Sequence, residues 1–238
     1  MKDDIFNFES DSDDNQEDRL QAPQPPQQDL NLKLKEIMDE NEEENYSSQA
    51  KNSPSSSNDK KNKEFLILET LVDALLNSKT KSKYDPTYVT DMAFSLKNKD
   101  RFSNFEKRAK NEETLYGWFI PDENDEELFY NMINRLKEKG LEKKEYEIMV
   151  SPPDDYNIDC LFSVIICKFI LGKNVGLNRE KELSAKDKEH YLKENYDTVI
   201  RVNDNIHTQN PPKRYNVLKK ENIELLYFVQ LKIIFEII

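Results

Sequence analysis

The apolar residues of this chain are spaced in several segments as they are in helices with one buried face. Over residues 63–76 they recur three and four positions apart, which predicts an amphipathic helix. Asp85 and Pro86 form a helix N-cap followed by a first-turn proline, and the apolar residues after them continue to Leu96. The pattern therefore predicts a second helix directly after the first.

A third helix is predicted after Pro121. The apolar residues between 128 and 136 keep helical spacing, and the acidic residues of 122–127 would stabilise its N-terminus. Gly140 follows at the position where a left-handed glycine ends a helix. Further on, Ser184 and Asp187 resemble a capping box that opens a short helix.

Two long apolar runs are harder to assign. Residues 158–171 are apolar on nearly every side, which is typical of the central helix of a domain. For residues 218–238 the length favours a helix, while the alternation near the end leaves a strand open. A short strand is indicated at 145–150. Residues 196–202 are rich in residues that favour strands, but their pattern does not decide between a strand and a helix.

These elements predict a mainly α protein. We expect an acidic, disordered N-terminal arm over residues 1–62, followed by one helical domain over 63–238 to which a small two-stranded β element could be added. The domain is long enough for one core.

The charge of the chain supports this division. The 238 residues carry a formal charge of −12. Residues 1–60 hold 16 acidic and 6 basic residues, a net charge of −10, whereas the rest holds 31 and 29. The polar composition of the arm leaves little apolar surface to offset the entropy lost on ordering.

Two short apolar motifs interrupt the arm. One lies at residues 5–8, and the other has the helical spacing of Leu30, Leu34, Ile37 and Met38. Either could fold onto a partner protein, or be incidental within a solvated linker. Ser10 lies three residues before Asp13, a context that acidophilic kinases favour, and it is a candidate phosphorylation site.

Catalytic and cofactor motifs are not found. The four glycines form no phosphate-binding loop, and the two histidines, His190 and His207, have no partner at motif spacing. Cys160 and Cys167 are read as buried apolar residues, and the pair Asp154 and Asp155 as a turn. We therefore expect no cofactor and no metal site, and favour a protein that is not an enzyme.

The residues from 97 to 110 form the one basic segment of the folded part. Together with three lysines upstream, this segment at 79–110 combines bases with interleaved phenylalanines, which can track phosphates and stack on bases. Its candidate nucleic-acid contacts are Lys97, Lys99, Arg101, Phe102, Phe105, Lys107, Arg108 and Lys110. The competing interpretation is a solvated helix whose phenylalanines face the core.

The function that fits best is a non-catalytic interaction protein, a subunit or adaptor of a larger assembly that binds protein partners through the helical domain and the arm. The alternative is a nucleic-acid or chromatin-associated factor that uses 79–110, with the acidic arm modulating binding. The sequence shows no signal peptide and no apolar run suited to a membrane span, so we expect an intracellular protein, nuclear or cytoplasmic, that is not secreted.

Overall fold

The computed structural model describes residues 25–47, 56–77, 86–121, 129–143, 145–152, 161–178, 182–202 and 213–234. The helices are α1 (Pro25–Ser47), α2 (Ser56–Leu76), α3 (Lys99–Ala109), α4 (Phe129–Lys139) and α5 (Ala185–Lys193). The strands are β1 (Thr87–Ser95), β2 (Thr114–Phe119), β3 (Tyr146–Met149), β4 (Leu161–Ile170), β5 (Asn174–Asn178), β6 (Thr198–Val202), β7 (Lys213–Val217) and β8 (Ile223–Ile234). A 3-10 turn, Lys220–Asn222, leads into β8.

The strands form one eight-stranded mixed sheet in the order β1-β8-β4-β2-β3-β7-β6-β5. Among the described strands only β5 and β6 run parallel, and α5 lies in the connection between them. The last strand in the chain, β8, lies between β1 and β4. The sheet therefore has its outer edges at β1 and β5.

Strand β4 shows how the sheet is covered on both faces. Ile165 and Phe169 pack in one core cluster with residues of α4. Val164 and Ile166 pack in a second cluster with residues of α1 and α2. Since alternate residues of a strand point to opposite faces, the two clusters lie on opposite sides of the sheet.

The prediction of a mainly α protein is wrong. The run at 158–171, read as a central helix, contains β4, which is apolar at nearly every position because both of its faces are buried. Buried strands of this kind lack the alternation that distinguishes a strand from a helix. The chain is an α/β protein.

Two more segments predicted as helices are strands. The residues after Pro86 form β1, an edge strand with a bulge at Asp91 between Thr90 and Met92, so its exposed and buried positions do not alternate regularly. Within 218–238, residues 223–234 form β8, so the strand reading that the alternation left open is the correct one. The segments at 145–150 and 196–202 contain β3 and β6.

The helices with clear end signals are confirmed. Helix α4 covers the predicted third helix, and Gly140 follows it with a φ of 74°. The Gly140 N–H donates to the Leu136 carbonyl over 3.0 Å, which closes the last turn. Ser184 and Asp187 form the predicted capping box of α5.

Part of the predicted arm is described by the structure. Helix α1 covers residues 25–47, and α2 begins at residue 56, before the predicted boundary at residue 62. Residues 1–24, which include Ser10 and the motif at 5–8, lie outside the described residues, so the predictions for them stay predictions. None of the described helices combines the length and the apolar character that crossing a membrane requires.

Candidate functional site: an edge groove and a basic cleft

Helix α1 is attached to the sheet by a buried glutamine. The Gln27 side chain is 4% exposed. Its Nε2 donates to the Tyr116 carbonyl over 2.9 Å, and its Oε1 accepts from the Tyr116 N–H over 3.1 Å. Strands β2 and β3 pair at the single position Trp118–Met149, so the glutamine amide takes the place of a neighbouring strand beside Tyr116.

Strand β1 is held in the same way from the end of α2. The Asn77 Oδ1 accepts from the Tyr88 N–H over 2.8 Å, and its Nδ2 donates to the Tyr88 carbonyl over 3.1 Å. Asn77 is buried. The backbone groups of Tyr88 therefore point outward from the sheet, away from β8. We call Gln27 and Asn77 the two amide clamps.

A groove of about 760 Å³ runs beside β1, and we call it the edge groove. It is lined by residues 29–33 of α1, 69–77 of α2 and 87–89 of β1. Beyond the Asn77 clamp, Val89 and Met92 on β1 are 39% and 41% exposed. The outer edge of the sheet and exposed apolar side chains thus lie beside an open groove.

The charged residues of the edge groove are mostly acidic. Asp29, Glu69 and Asp73 line it together with one base, Lys33. Glu69 Oε1 is buried and has no hydrogen-bond partner among the described residues. A buried carboxylate oxygen without a donor is costly, so the groove favours a ligand that brings a cationic or donor group.

The predicted docking motif at 30–38 lies on α1. Leu30 and Leu34 are buried in the core cluster that α1 shares with α2 and the sheet, Ile37 is partly buried, and Met38 is 56% exposed. The helical spacing of these residues is confirmed. Binding of another protein through this motif stays a prediction, and Leu30 and Leu34 would have to leave their present contacts to take part in it.

The predicted basic segment contains α3, and several of its residues serve the fold. Arg101 donates through Nη1 to the carbonyls of Leu136 and Lys137, at 3.0 and 2.7 Å, and through Nη2 to the Leu96 carbonyl at 2.8 Å. It therefore caps the C-terminus of α4, where a positive charge is favourable. Phe105 is 1% exposed and packs inward.

The other predicted nucleic-acid contacts remain at the surface. Lys99, Lys107, Arg108 and Lys110 are exposed, and Phe102 is 44% exposed. Lys97 donates to the Tyr227 hydroxyl over 2.8 Å and pairs with Glu64 at 3.2 Å. The lysines at 79–83 lie outside the described residues. Nucleic-acid binding through 79–110 stays a prediction, with Arg101 and Phe105 occupied in the fold.

A second cavity, which we call the basic cleft, lies between α3, the end of α4 and the start of β8. It has a volume of about 230 Å³ and is lined by residues 101–108, 139–141 and 220–225. Arg108 and Lys139 are exposed at this cleft and Lys220 is partly buried. Three bases from three different elements thus meet at one opening.

Glu224 lines the basic cleft and is 1% exposed. Its Oε1 has no hydrogen-bond partner among the described residues. Burial raises the pKa of Glu224 to about 7, although the positive charge of Arg101 opposes this shift. The basic cleft therefore contains a buried acid whose charge is poorly compensated.

The remaining residues singled out in the sequence lie apart from both cavities. Cys167 is buried, and burial raises the pKa of its thiol well above the usual range. Trp118 is a core residue whose Nε1 donates to the Ser151 carbonyl over 2.9 Å. His190 is exposed on α5. Cys160, His207, Asp154 and Asp155 lie outside the described residues.

The sequence interpretation missed the residues that define these sites. Gln27 lies in a proline and glutamine tract that gave no sign of a buried contact 89 positions away. Glu224 lies in an apolar run of the sequence. A carboxylate among apolar residues is either exposed or buried, and a buried one is rare, so this neighbourhood was the signal that could have identified it.

No protein-family model and no curated protein sequence matches the chain. Its backbone is similar to that of the TASOR pseudo-PARP domain, with a TM-score of 0.46, 14% identity, and coverage of 77% of this chain and 98% of that domain. It is also similar to the PARP domain of Arabidopsis RADICAL-INDUCED CELL DEATH1, with a TM-score of 0.39, 16% identity, and coverage of 62% and 89%. At such low identity, the function of this chain has to be argued from its own residues.

Proposed function

We propose that this protein is a non-catalytic subunit or adaptor of a larger intracellular assembly, and that its folded domain binds an extended segment of a partner protein in the edge groove. The observation that carries the proposal is the outer edge of β1, which lies open beside a groove of about 760 Å³. An extended peptide can add to such an edge as a further strand.

The backbone of β1 is oriented for this addition. Tyr88 directs its N–H and carbonyl outward, where Asn77 binds them. Alternate residues of a strand repeat this orientation, so Thr90 presents its backbone groups on the same side. Asn77 thus occupies the first outward position, and no other described residue binds the outward backbone groups of Thr90.

The side chains of the groove indicate the chemistry of the partner. Glu69 and Asp73 lie along the α2 wall, and Glu69 Oε1 has no donor among the described residues. A lysine or arginine of the bound segment would supply charged donors to these carboxylates. We expect the partner segment to be extended and basic, with an apolar residue that contacts Val89.

The proposal is tested with the double variant Glu69→Lys, Asp73→Lys of the full chain. Affinity purification from the native cells, with quantitative mass spectrometry, should show at least about a tenfold loss of the partner, because two attractive contacts become repulsive. The matched control Glu138→Lys, Glu194→Lys reverses two exposed acids, one on α4 and one directly after α5, and should leave recovery unchanged.

A second variant, Thr90→Pro, tests strand addition separately from charge. It removes the outward N–H of Thr90, and partner recovery should fall while the thermal unfolding transition of the domain remains cooperative. A synthetic peptide of the recovered partner's basic segment should bind the full chain directly in titration calorimetry. Recovery of the same partners by both variants and the wild type would contradict the proposal.

A further inference from the structure

The basic cleft is separate from the edge groove and has three kinds of wall. Its apolar side is formed by Phe105, Ile223 and Leu225. Its acidic residues are the exposed Glu221 and the buried Glu224, and we call Glu224 the floor. Its basic residues are Arg101 and three more that we call the rim, Arg108, Lys139 and Lys220. Apolar, acidic and basic surfaces converge on one cavity of about 230 Å³.

The acidic floor is the least ordinary of these features. Glu224 is 1% exposed, and its Oε1 lacks a hydrogen-bond partner among the described residues. Buried carboxylate oxygens are almost always paired, so this oxygen is an acceptor that a ligand could satisfy. Arg101 acts on Glu224 through its charge, but the hydrogen bonds of its guanidinium go to three backbone carbonyls.

The rim is partly preorganised by the backbone. Arg108 donates through Nη2 to the Glu221 carbonyl, and Lys220 donates to the Leu141 carbonyl over 3.2 Å. These bonds hold the two cations at the opening without neutralising them, since carbonyls carry no net charge. Together with exposed Lys139 they form a site for an anion.

We propose that the basic cleft binds one nucleotide of a single-stranded nucleic acid, with an amino-bearing base, adenine or cytosine, directed at Glu224 and the flanking phosphates on the basic rim. The Glu224 carboxylate accepts from the exocyclic amino group of a base that enters the cleft. The three cations contact the phosphates on either side.

This ligand matches the observations jointly. An anion alone would satisfy the rim and would be repelled by Glu224, and an amine alone would satisfy Glu224 and be repelled by the rim. A nucleotide carries its amino group and its phosphate at opposite ends, with an apolar face between them. Bases of a duplex cannot enter such a cavity, whereas those of a single strand can.

The proposal is tested at pH 8, where Glu224 is ionised, by fluorescence anisotropy of the full chain with labelled five-nucleotide homopolymers of A, C and U at several salt concentrations. We expect A and C to bind about tenfold more tightly than U, because U has no exocyclic amino group to donate to Glu224. Absence of binding at low salt, or equal affinity for all three, would overturn the proposal.

Two sets of variants assign the contacts. Glu224→Gln places an amide that can also donate to uracil, so it should reduce the preference for A and C while keeping overall affinity. Lys139→Gln, Lys220→Gln should weaken all three oligomers and lower the slope of log affinity against log salt by about 1.4, or about 0.7 for each phosphate contact. The matched control Lys186→Gln, Lys193→Gln removes two exposed lysines of α5 and should change neither quantity.

The source of the nucleotide is decided by competition with free adenosine monophosphate. Adenosine monophosphate should bind at least tenfold more weakly than the A oligomer, because its single phosphate leaves some of the rim cations without a partner. Equal affinity would show that the cleft takes a free nucleotide, which contradicts binding of a strand. The groove variant Glu69→Lys, Asp73→Lys should bind the oligomers as the wild type does, which separates this site from the edge groove.

Discussion

Buried polar groups follow two patterns in this molecule: some pair fully with the backbone of the sheet, whereas Glu69 in the edge groove and Glu224 in the basic cleft each have an oxygen without a hydrogen-bond partner among the described residues. Around the edge groove, the two amide clamps each pair with both backbone groups of one strand residue. In the basic cleft, Glu224 is buried with an oxygen that has no hydrogen-bond partner among the described residues. Paired groups stabilise the fold, whereas an unpaired one reduces stability unless a ligand completes it. The two amide clamps thus stabilise the sheet, whereas Glu224 has an oxygen that is suited to binding a ligand.

The largest effect that we expect from this comparison is a dependence of stability on pH at Glu224. Its folded pKa of about 7 lies above the ordinary pKa of a glutamate, 4.5, so between these two values the folded state holds a proton that the unfolded state has lost. Stability should therefore fall as pH rises from about 4.5 to 7, by up to about 3 kcal/mol. Glu224→Gln should remove this loss.

Urea unfolding of wild type and Glu224→Gln at pH 5 and pH 8 measures the difference. The variant should match the wild type at pH 5 within about 1 kcal/mol and exceed it at pH 8, since the glutamine carries no charge to desolvate. Glu221→Gln, at an exposed acid three residues earlier, is the control. If the difference in unfolding free energy between the wild type and Glu224→Gln were the same at pH 8 as at pH 5, the raised pKa of Glu224 would be contradicted.

The next largest effect concerns the Gln27 clamp. Gln27→Ala leaves the buried N–H and carbonyl of Tyr116 without their partner and should cost about 2–3 kcal/mol in the attachment of α1 to the sheet. Hydrogen exchange of α1 amides, read by mass spectrometry, should become faster. Gln28→Ala changes the same residue type at an exposed neighbouring position, and we expect no change there.

A smaller effect is expected at the second clamp. Asn77→Ala should cost about 1–2 kcal/mol in urea unfolding, because Tyr88 belongs to an edge strand where water can replace part of the lost bonding. Asn77→Asp keeps an acceptor for the Tyr88 N–H and loses the donor to its carbonyl, so it should lie between the wild type and the alanine variant. If Asn77→Ala lowered the free energy of unfolding as much as Gln27→Ala does, the expected difference between a clamp on an edge strand and one on an inner strand would be contradicted.

Elements with local end signals could be predicted from the sequence. Helix α4 and the capping box of α5 depend on residues within one or two turns, as at Gly140 and Ser184. Strands β4 and β8 could not be read in this way. Both faces of β4 are buried, and the pairing of β8 with β4 involves residues 54 to 71 positions earlier.

The candidate sites depended even more on distant contacts. Arg108 was singled out as a base in a basic segment, but Lys139 and Lys220 join it only because the fold brings α3, α4 and the 3-10 turn together. Gln27 lies in a tract whose composition suggests a solvated linker. Its burial follows from a gap between β2 and β3 that no local pattern encodes.

The position of β8 has a consequence for the way the chain is assembled. β1 and β4 lie on either side of β8, which follows both of them in the sequence. During synthesis, β1 has no neighbouring strand and β4 has only β2 until the ribosome has released residues 223–234. Loops of this length close slowly, so the edges of β1 and β4 that pair with β8 stay open during translation. A nascent chain paused before β8 is the species most in need of a chaperone.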